Sequence, residues 1–269
     1  MKIKFICPIW GMEDPTLEAK LEKIKEAGYD GVEMGASQDN KEREHAKNLL
    51  EKFDLMFIGQ QWTDGNDIDE HFKSFEKQVR INSELNPYLI NSHTGKDYFS
   101  LEENKRLFEL TTNLAKNYNF KIIHETHRGR FTFSAMSTSE FINSFDNLEL
   151  AADFSHWCCV SESYLEDQTQ FVKEAINRTV HLHARVGYPQ GPQVTDPRAP
   201  EWQYALQTHL NWWDKIIESN RKKGFSIQTI APEFGPVEYL PTLPFTNKPV
   251  SDQWEINLFM KDLLKERYG

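Results

Sequence analysis

The feature that most limits the folds open to this chain is a regular alternation of short apolar runs with longer, charged amphipathic stretches. Eight runs rich in Ile, Val, Phe and Leu read as strands: Lys4 to Ile9, Gly31 to Met34, Leu55 to Gly59, Tyr88 to Ser92, Lys121 to Glu125, Leu148 to Asp153, Thr179 to His183 and Ser226 to Glu233. Each is followed by a segment whose apolar residues recur at three and four positions. These helices are expected over Pro15 to Ala27, Asn40 to Phe53, Ile68 to Leu85, Leu101 to Tyr118, Ser139 to Phe145, Asp167 to Asn177, Glu201 to Lys223 and Asp252 to Tyr268. In the first, Leu17, Leu21 and Ile24 share a face, Pro15 suits the opening turn and Gly28 the close.

Eight strand-then-helix units in 269 residues predict an α/β fold, a single-domain (β/α)8 TIM barrel over residues 1–269. A doubly wound open sheet would carry a Gly-rich phosphate turn, and neither G-x-G-x-x-G nor G-x-x-x-x-G-K occurs. The longest irregular stretch, Gly187 to Pro200, holds Pro189, Pro192, Pro197 and Pro200. It is expected to lie over the barrel mouth as a lid, with Gln193, Asp196 or Arg198 reaching inward.

In a barrel of this kind the chemistry sits at the C-terminal ends of the strands, so the test is which polar residues end each apolar run. The fifth strand ends His124-Glu125-Thr126-His127, the sixth Asp153-Phe154-Ser155-His156, the seventh His181-Leu182-His183-Ala184-Arg185 and the eighth Glu233-Phe234-Gly235. Acids and imidazoles at four consecutive strand ends converge on the barrel axis, where bare carboxylates would repel and lose hydration. One divalent cation resolves both problems. Three carboxylates and one imidazole make a hard, mostly oxygen site that suits Mn2+, Mg2+, Co2+ or Zn2+. Taken singly, each acid could equally pair with a nearby Lys or Arg; four in register point to a shared ligand.

These strand ends resemble the xylose-isomerase-like barrel superfamily of sugar isomerases and epimerases, which also contains inosose dehydratases and metal-dependent apurinic endonucleases. The resemblance rests on Glu at the fifth strand, Asp-x-x-His at the sixth, His at the seventh and Glu at the eighth. It implies metal ligands at Glu125, Asp153, His183 and Glu233, with His181 as the alternative to His183. It also implies that Glu125 and Glu233 take and return a proton alpha to the carbonyl of an open-chain sugar. His156 and Arg185 would hold substrate oxygens, and Glu33 falls at a second-strand position that faces substrate. Arg185 and Val186 stand where the family commonly has Lys and an acid.

Other residues at or just past strand ends are candidates for the mouth. Trp10 is a candidate sugar platform, while Gln60, His93 and His127 are candidate polar contacts. Arg128 and Arg130 could attract a phosphate or carboxylate on substrate, against the ordinary role of an arginine as solvated surface charge. A dehydratase acting on a keto-sugar or inosose begins with the same proton loss and is the nearest alternative. An apurinic endonuclease is disfavoured, because Asp196-Pro197-Arg198 has Arg where that branch requires His. A sugar-binding barrel without turnover is the non-enzymatic reading.

Composition bears on partners and compartment. With 31 Lys and Arg against 41 Asp and Glu, the formal charge is −10, which argues against nucleic acid. No apolar run approaches the roughly 18 residues of a membrane helix, and Phe5 to Trp10 reads as a strand rather than a secretion signal. Cys7, Cys158 and Cys159 are an odd set whose only close pair is adjacent, so no disulfide and a reducing cytoplasm are expected. Trp212 and Trp213 offer an apolar pair for packing or for a homo-oligomer interface.

Overall fold

The computed structural model describes all 269 residues. Eight parallel strands, β1 (Lys2–Pro8), β2 (Gly31–Met34), β3 (Met56–Trp62), β4 (Leu89–His93), β5 (Lys121–Glu125), β6 (Leu150–Ala152), β7 (Thr179–His183) and β8 (Ile227–Ala231), close in sequence order into a barrel. The seam pairs Lys2 with Ile227 and Phe5 with Ile230. Around it run α1 (Leu17–Glu26), α2 (Asn40–Lys52), α3 (Ile68–Ser83), α4 (Leu101–Tyr118), α5 (Ala135–Ser144), α6 (Phe154–Ser161), α7 (Thr169–Arg178), α8 (Gln203–Lys222) and α9 (Gln253–Tyr268). No helix is long and apolar enough to cross a membrane.

Local chemistry explains the helix starts. Thr16, Asp39, Asp67, Ser100, Ser134 and Asp252 each cap a helix with a side-chain oxygen that accepts a backbone N–H of the first turn. The reciprocal pair Ser134 and Ser137 starts α5 four residues before the expected Ser139. Helix α6 is unannounced by periodicity, because Phe-Ser-His-Trp-Cys-Cys-Val-Ser has no polar face; Asp153 caps it by accepting from the Ser155 N–H. That cap also ends β6 at Ala152, one residue before the expected Asp153.

Two apolar regions support the mouth. A large shell packs strands against helices, and Trp212 and Trp213 belong to it, buried against Phe154 and His209 instead of presented to a partner. Inside the barrel, Ile6, Ile58, Leu89, Ile123, Ala151, Val180 and Ala231 form a dry plug, where each fully buried Ile or Leu contributes on the order of 2 kcal/mol. The polar strand ends therefore rest on an apolar floor. All three cysteines are free, with Cys7 and Cys158 buried; burial pushes the Cys7 thiol up to about 12.

The stretch from 187 to 200, expected to cover the mouth, is fastened to neighbouring loops. Gln193 clamps it to the loop after β8, accepting from the Gly235 N–H at 2.7 Å and donating to the Gly235 carbonyl at 3.3 Å. Val194 is fully buried and its N–H donates to the Val186 carbonyl. Asp196 and Arg198 pair with each other at 2.7 Å. These contacts hold the segment against the protein wall.

Candidate metal centre and substrate cleft

One set of side chains that could hold a cation comes from four successive strand ends. Glu125 ends β5, Asp153 follows β6, His183 ends β7 and Glu233 follows β8; ligand atoms of the four lie within 4.8 Å of one another, and all four residues are buried. That span is close to the roughly 4.2 Å separating trans ligands of a small divalent ion. His183 Nδ1 lies 2.7 Å from Glu233 Oε2, yet neither atom makes a hydrogen bond. With the imidazole neutral, a nitrogen and a carboxylate oxygen this close are potential ligand atoms that one cation could share.

Charge points the same way. Burial alone would push the His183 imidazole down, but Glu233, Glu33 and Glu125 face it and push its pKa well above the ordinary value. Burial raises Asp153 even though Arg185 opposes the shift. For Glu125, burial is outweighed by His93 and His183, which hold it well below the carboxylate range. A group of carboxylates this buried is costly unless positive charge faces it.

Beneath this set lies a second layer. The Glu33 carboxylate is fully buried, with His183 Nε2 at 3.0 Å and His181 Nε2 at 3.2 Å. Asn91 Nδ2 donates to Glu33 Oε1 at 2.9 Å and to Glu125 Oε2 at 2.8 Å, bridging the layers. Glu33, expected to face substrate, is fully buried against the imidazoles of His181 and His183 and is not part of the cleft lining. His181 belongs to this layer too, with Nδ1 on Thr229 Oγ1 at 2.7 Å, so His183 is the member of the pair that joins the four-residue set.

A cleft of about 480 Å3 opens above, lined by Trp10, Trp62, His93, His127, Arg130 and Tyr239 among others, with Glu125, Arg185 and Glu233 at its base. His93 Nε2 contacts Glu125 Oε2 at 2.8 Å. Trp10 is 38 % exposed at the rim and meets Tyr239 edge-on at 5.1 Å between ring centres. Arg185 is buried, paired with Asp153 Oδ2, with Nη2 3.0 Å from His156 Nε2. His156 does not line the cleft as expected. It sits in the first turn of α6, its ring 3.9 Å from that of His127, and burial with His127 and Arg185 nearby drives its pKa well down.

A family model described as xylose isomerase-like TIM barrel matches residues 21–236. The chain belongs to the xylose isomerase-like TIM barrel family. No curated protein sequence matches it. Among solved structures, this xylose isomerase-like barrel is similar to the probable 3-DHS dehydratase AsbF of Bacillus anthracis, at 16% identity and TM-score 0.66, over 98% of this chain and 99% of that one. It is similar to the 3-keto-D-glucoside 4-epimerase YcjR of E. coli at 13% identity and TM-score 0.65, over 98% and 100%. A family barrel from Mycobacterium smegmatis in complex with magnesium is 9% identical, TM-score 0.61, over 94% and 89%.

Sequence reasoning missed four residues of the cleft and its supports. Asn91 shares its strand face with His93 by period-two alternation, which is the signal the sequence carries for it. Trp62 lies two residues past Gln60 on a strand longer than its apolar run. Gly35 and Tyr239 carry no local signal. One further constraint is steric: a Cβ on Gly187 would stand 2.7 Å from the Ser155 Cα and 2.8 Å from its carbonyl oxygen, so the loop after β7 presses on the Asp153 turn.

Proposed function

We propose that this chain is a divalent-metal-dependent sugar isomerase or epimerase that moves a proton alpha to the carbonyl of an open-chain sugar. The observation that carries the reading is the buried set Glu125, Asp153, His183 and Glu233 at the base of a cleft of about 480 Å3. One ion of the Mn2+, Mg2+, Co2+ or Zn2+ class, held by these four residues, would polarise the carbonyl and stabilise negative charge on the enediolate.

The two glutamates are held differently, which supports different roles for them. Glu125 Oε2 is fixed by Asn91, His93 and His183, and its basicity is lowered accordingly. Glu233 accepts no hydrogen bond, with His183 and Arg185 as its only charged contacts. Glu233 is therefore the group to take the proton, and Glu125 the group that completes the exchange from its own strand end. Trp10 and Trp62 flank the cleft as platforms for the C–H faces of a sugar. His93 and His127 reach its oxygens. The substrate is a small molecule, and the reducing interior of the cell is the proposed compartment.

Elemental analysis of the purified chain tests the metal: about one divalent ion per chain is expected. A screen of aldoses and ketoses for deuterium uptake from solvent tests the chemistry. Uptake without mass change supports isomerisation or epimerisation, whereas loss of one water identifies a dehydratase, the activity carried by the name of one structural neighbour. Neither metal nor exchange across the screen would sink the proposal.

A further inference from the structure

Two arginines line the cleft, and only one has a carboxylate. Arg185 is paired with Asp153 and lies 3.6 Å from Glu233. Arg130 has no carboxylate within 4.0 Å. It is not solvated surface charge either. Burial is the main influence on its guanidinium and lowers its pKa from the ordinary arginine value, with Glu125 and Asp64 opposing from a distance.

The side chain is held in place from below. Nη1 donates to the Thr63 carbonyl at 3.0 Å and the Gly95 carbonyl at 3.2 Å, leaving Nε and Nη2 without a hydrogen bond. Its backbone is braced on both sides: the Arg130 N–H donates to the His127 carbonyl, the Phe133 N–H donates to the Arg130 carbonyl, and the neighbouring Phe131 is buried. Nε and Nη2 together form the edge of the guanidinium fork that binds a planar oxyanion with two parallel bonds. A fixed, half-buried fork with that edge unused is organised for a ligand before the ligand arrives.

We propose that Arg130 is the anchor for an oxyanion group, a carboxylate or a phosphate, carried by the substrate away from its reacting carbonyl. The inference rests on the proposed function for the identity of the rest of the ligand. It turns the substrate class from sugars in general to acidic or phosphorylated ones. A neutral sugar would offer the fork hydroxyl oxygens but no charge to match the guanidinium.

The test is calorimetric titration of the purified chain with two matched pairs, D-glucuronate against D-glucose and D-fructose 6-phosphate against D-fructose. One charged member should bind about 10- to 100-fold more tightly than its neutral counterpart, and which pair responds tells carboxylate from phosphate. Arg130→Gln should erase that preference while bound cation per chain and melting temperature hold. Arg130→Lys keeps the charge but not the fork, so it should lower the preference several-fold and serves if the Gln variant melts early. Equal binding within both pairs, no binding by any of the four at about 10 mM, or a preference unchanged in either variant overturns the proposal. A chain that selects the anion yet exchanges no proton keeps the anchor and sinks the isomerase reading; proton exchange without selectivity does the reverse.

Discussion

The helical shell and the barrel axis both bury histidines, and they treat them in opposite ways. In the shell, His124 lies among Phe108, Phe131 and Thr94, and burial pushes its pKa down to about 3. His209 donates from Nδ1 to the Ala205 carbonyl and accepts the Gly187 N–H at Nε2, and burial takes it down to about 4. No carboxylate faces either ring. On the axis, burial of His183 is as complete, yet Glu233, Glu33 and Glu125 reverse its effect and raise the pKa. Depth alone therefore does not mark the site. The carboxylates beside the imidazole do.

Breaking the axis at its least restrained carboxylate should produce the largest effect. Glu233→Gln is expected to cut solvent deuterium uptake by about a thousandfold, measured by mass spectrometry on whichever sugar the wild type exchanges; full uptake in the variant would remove Glu233 from the mechanism. One layer down, Glu33→Gln removes the negative charge beside His183 Nε2 while keeping an acceptor there. Cation affinity should fall about 10- to 100-fold, read by competition with a fluorescent chelator, and an unchanged affinity would make Glu33 merely structural.

The shell sharpens the contrast through pH. The folded pKa of His209 is depressed to about 4, while the unfolded value is about 6.5. Between the two, the unfolded chain binds the extra proton. Its stabilising contribution is thus complete above about pH 6.5 and is lost as pH falls toward 4, amounting to about 2 kcal/mol by pH 5. Urea unfolding between pH 7 and pH 5 should show this, and His209→Gln should flatten the slope by about 1 kcal/mol per pH unit. A slope that survives the substitution assigns the acid sensitivity elsewhere. Smallest is Thr229→Val, which removes the hydroxyl on His181 Nδ1: a loss of about 1 kcal/mol in stability with cation affinity retained would separate the deeper layer from the four-residue set.

Much of this was legible before any coordinates. Gly31–Met34, Lys121–Glu125 and Thr179–His183 have the bounds that their apolar runs predict, because a turn or a polar strand end cuts each off sharply. The convergence of Glu125, Asp153, His183 and Glu233 followed from strand order in a closed barrel. What the sequence concealed was depth. Alternation says that Glu33 points inward, but where it stands along the axis depends on the stagger between β2 and β7, which no local pattern encodes. Helix α6 was hidden for a different reason, since five successive buried residues, Phe154 to Cys158, leave no amphipathic period to read. Tyr239 reaches the cleft from an irregular loop, where position is decided by packing against Trp10 and Arg185.

The contact between Gly187 and Ser155 has a meaning for descent as well as for structure. The loop after β7 and the first turn of α6 share one volume, and the α6 side presents the Ser155 Cα, Cβ and carbonyl oxygen, which cannot turn aside as the end of a flexible side chain would. Residue 187 is free to vary only in a lineage whose Asp-x-x-His turn has already shifted. The two positions should therefore drift together or not at all, and a transplanted β7 loop brings with it a demand on the turn that holds Asp153.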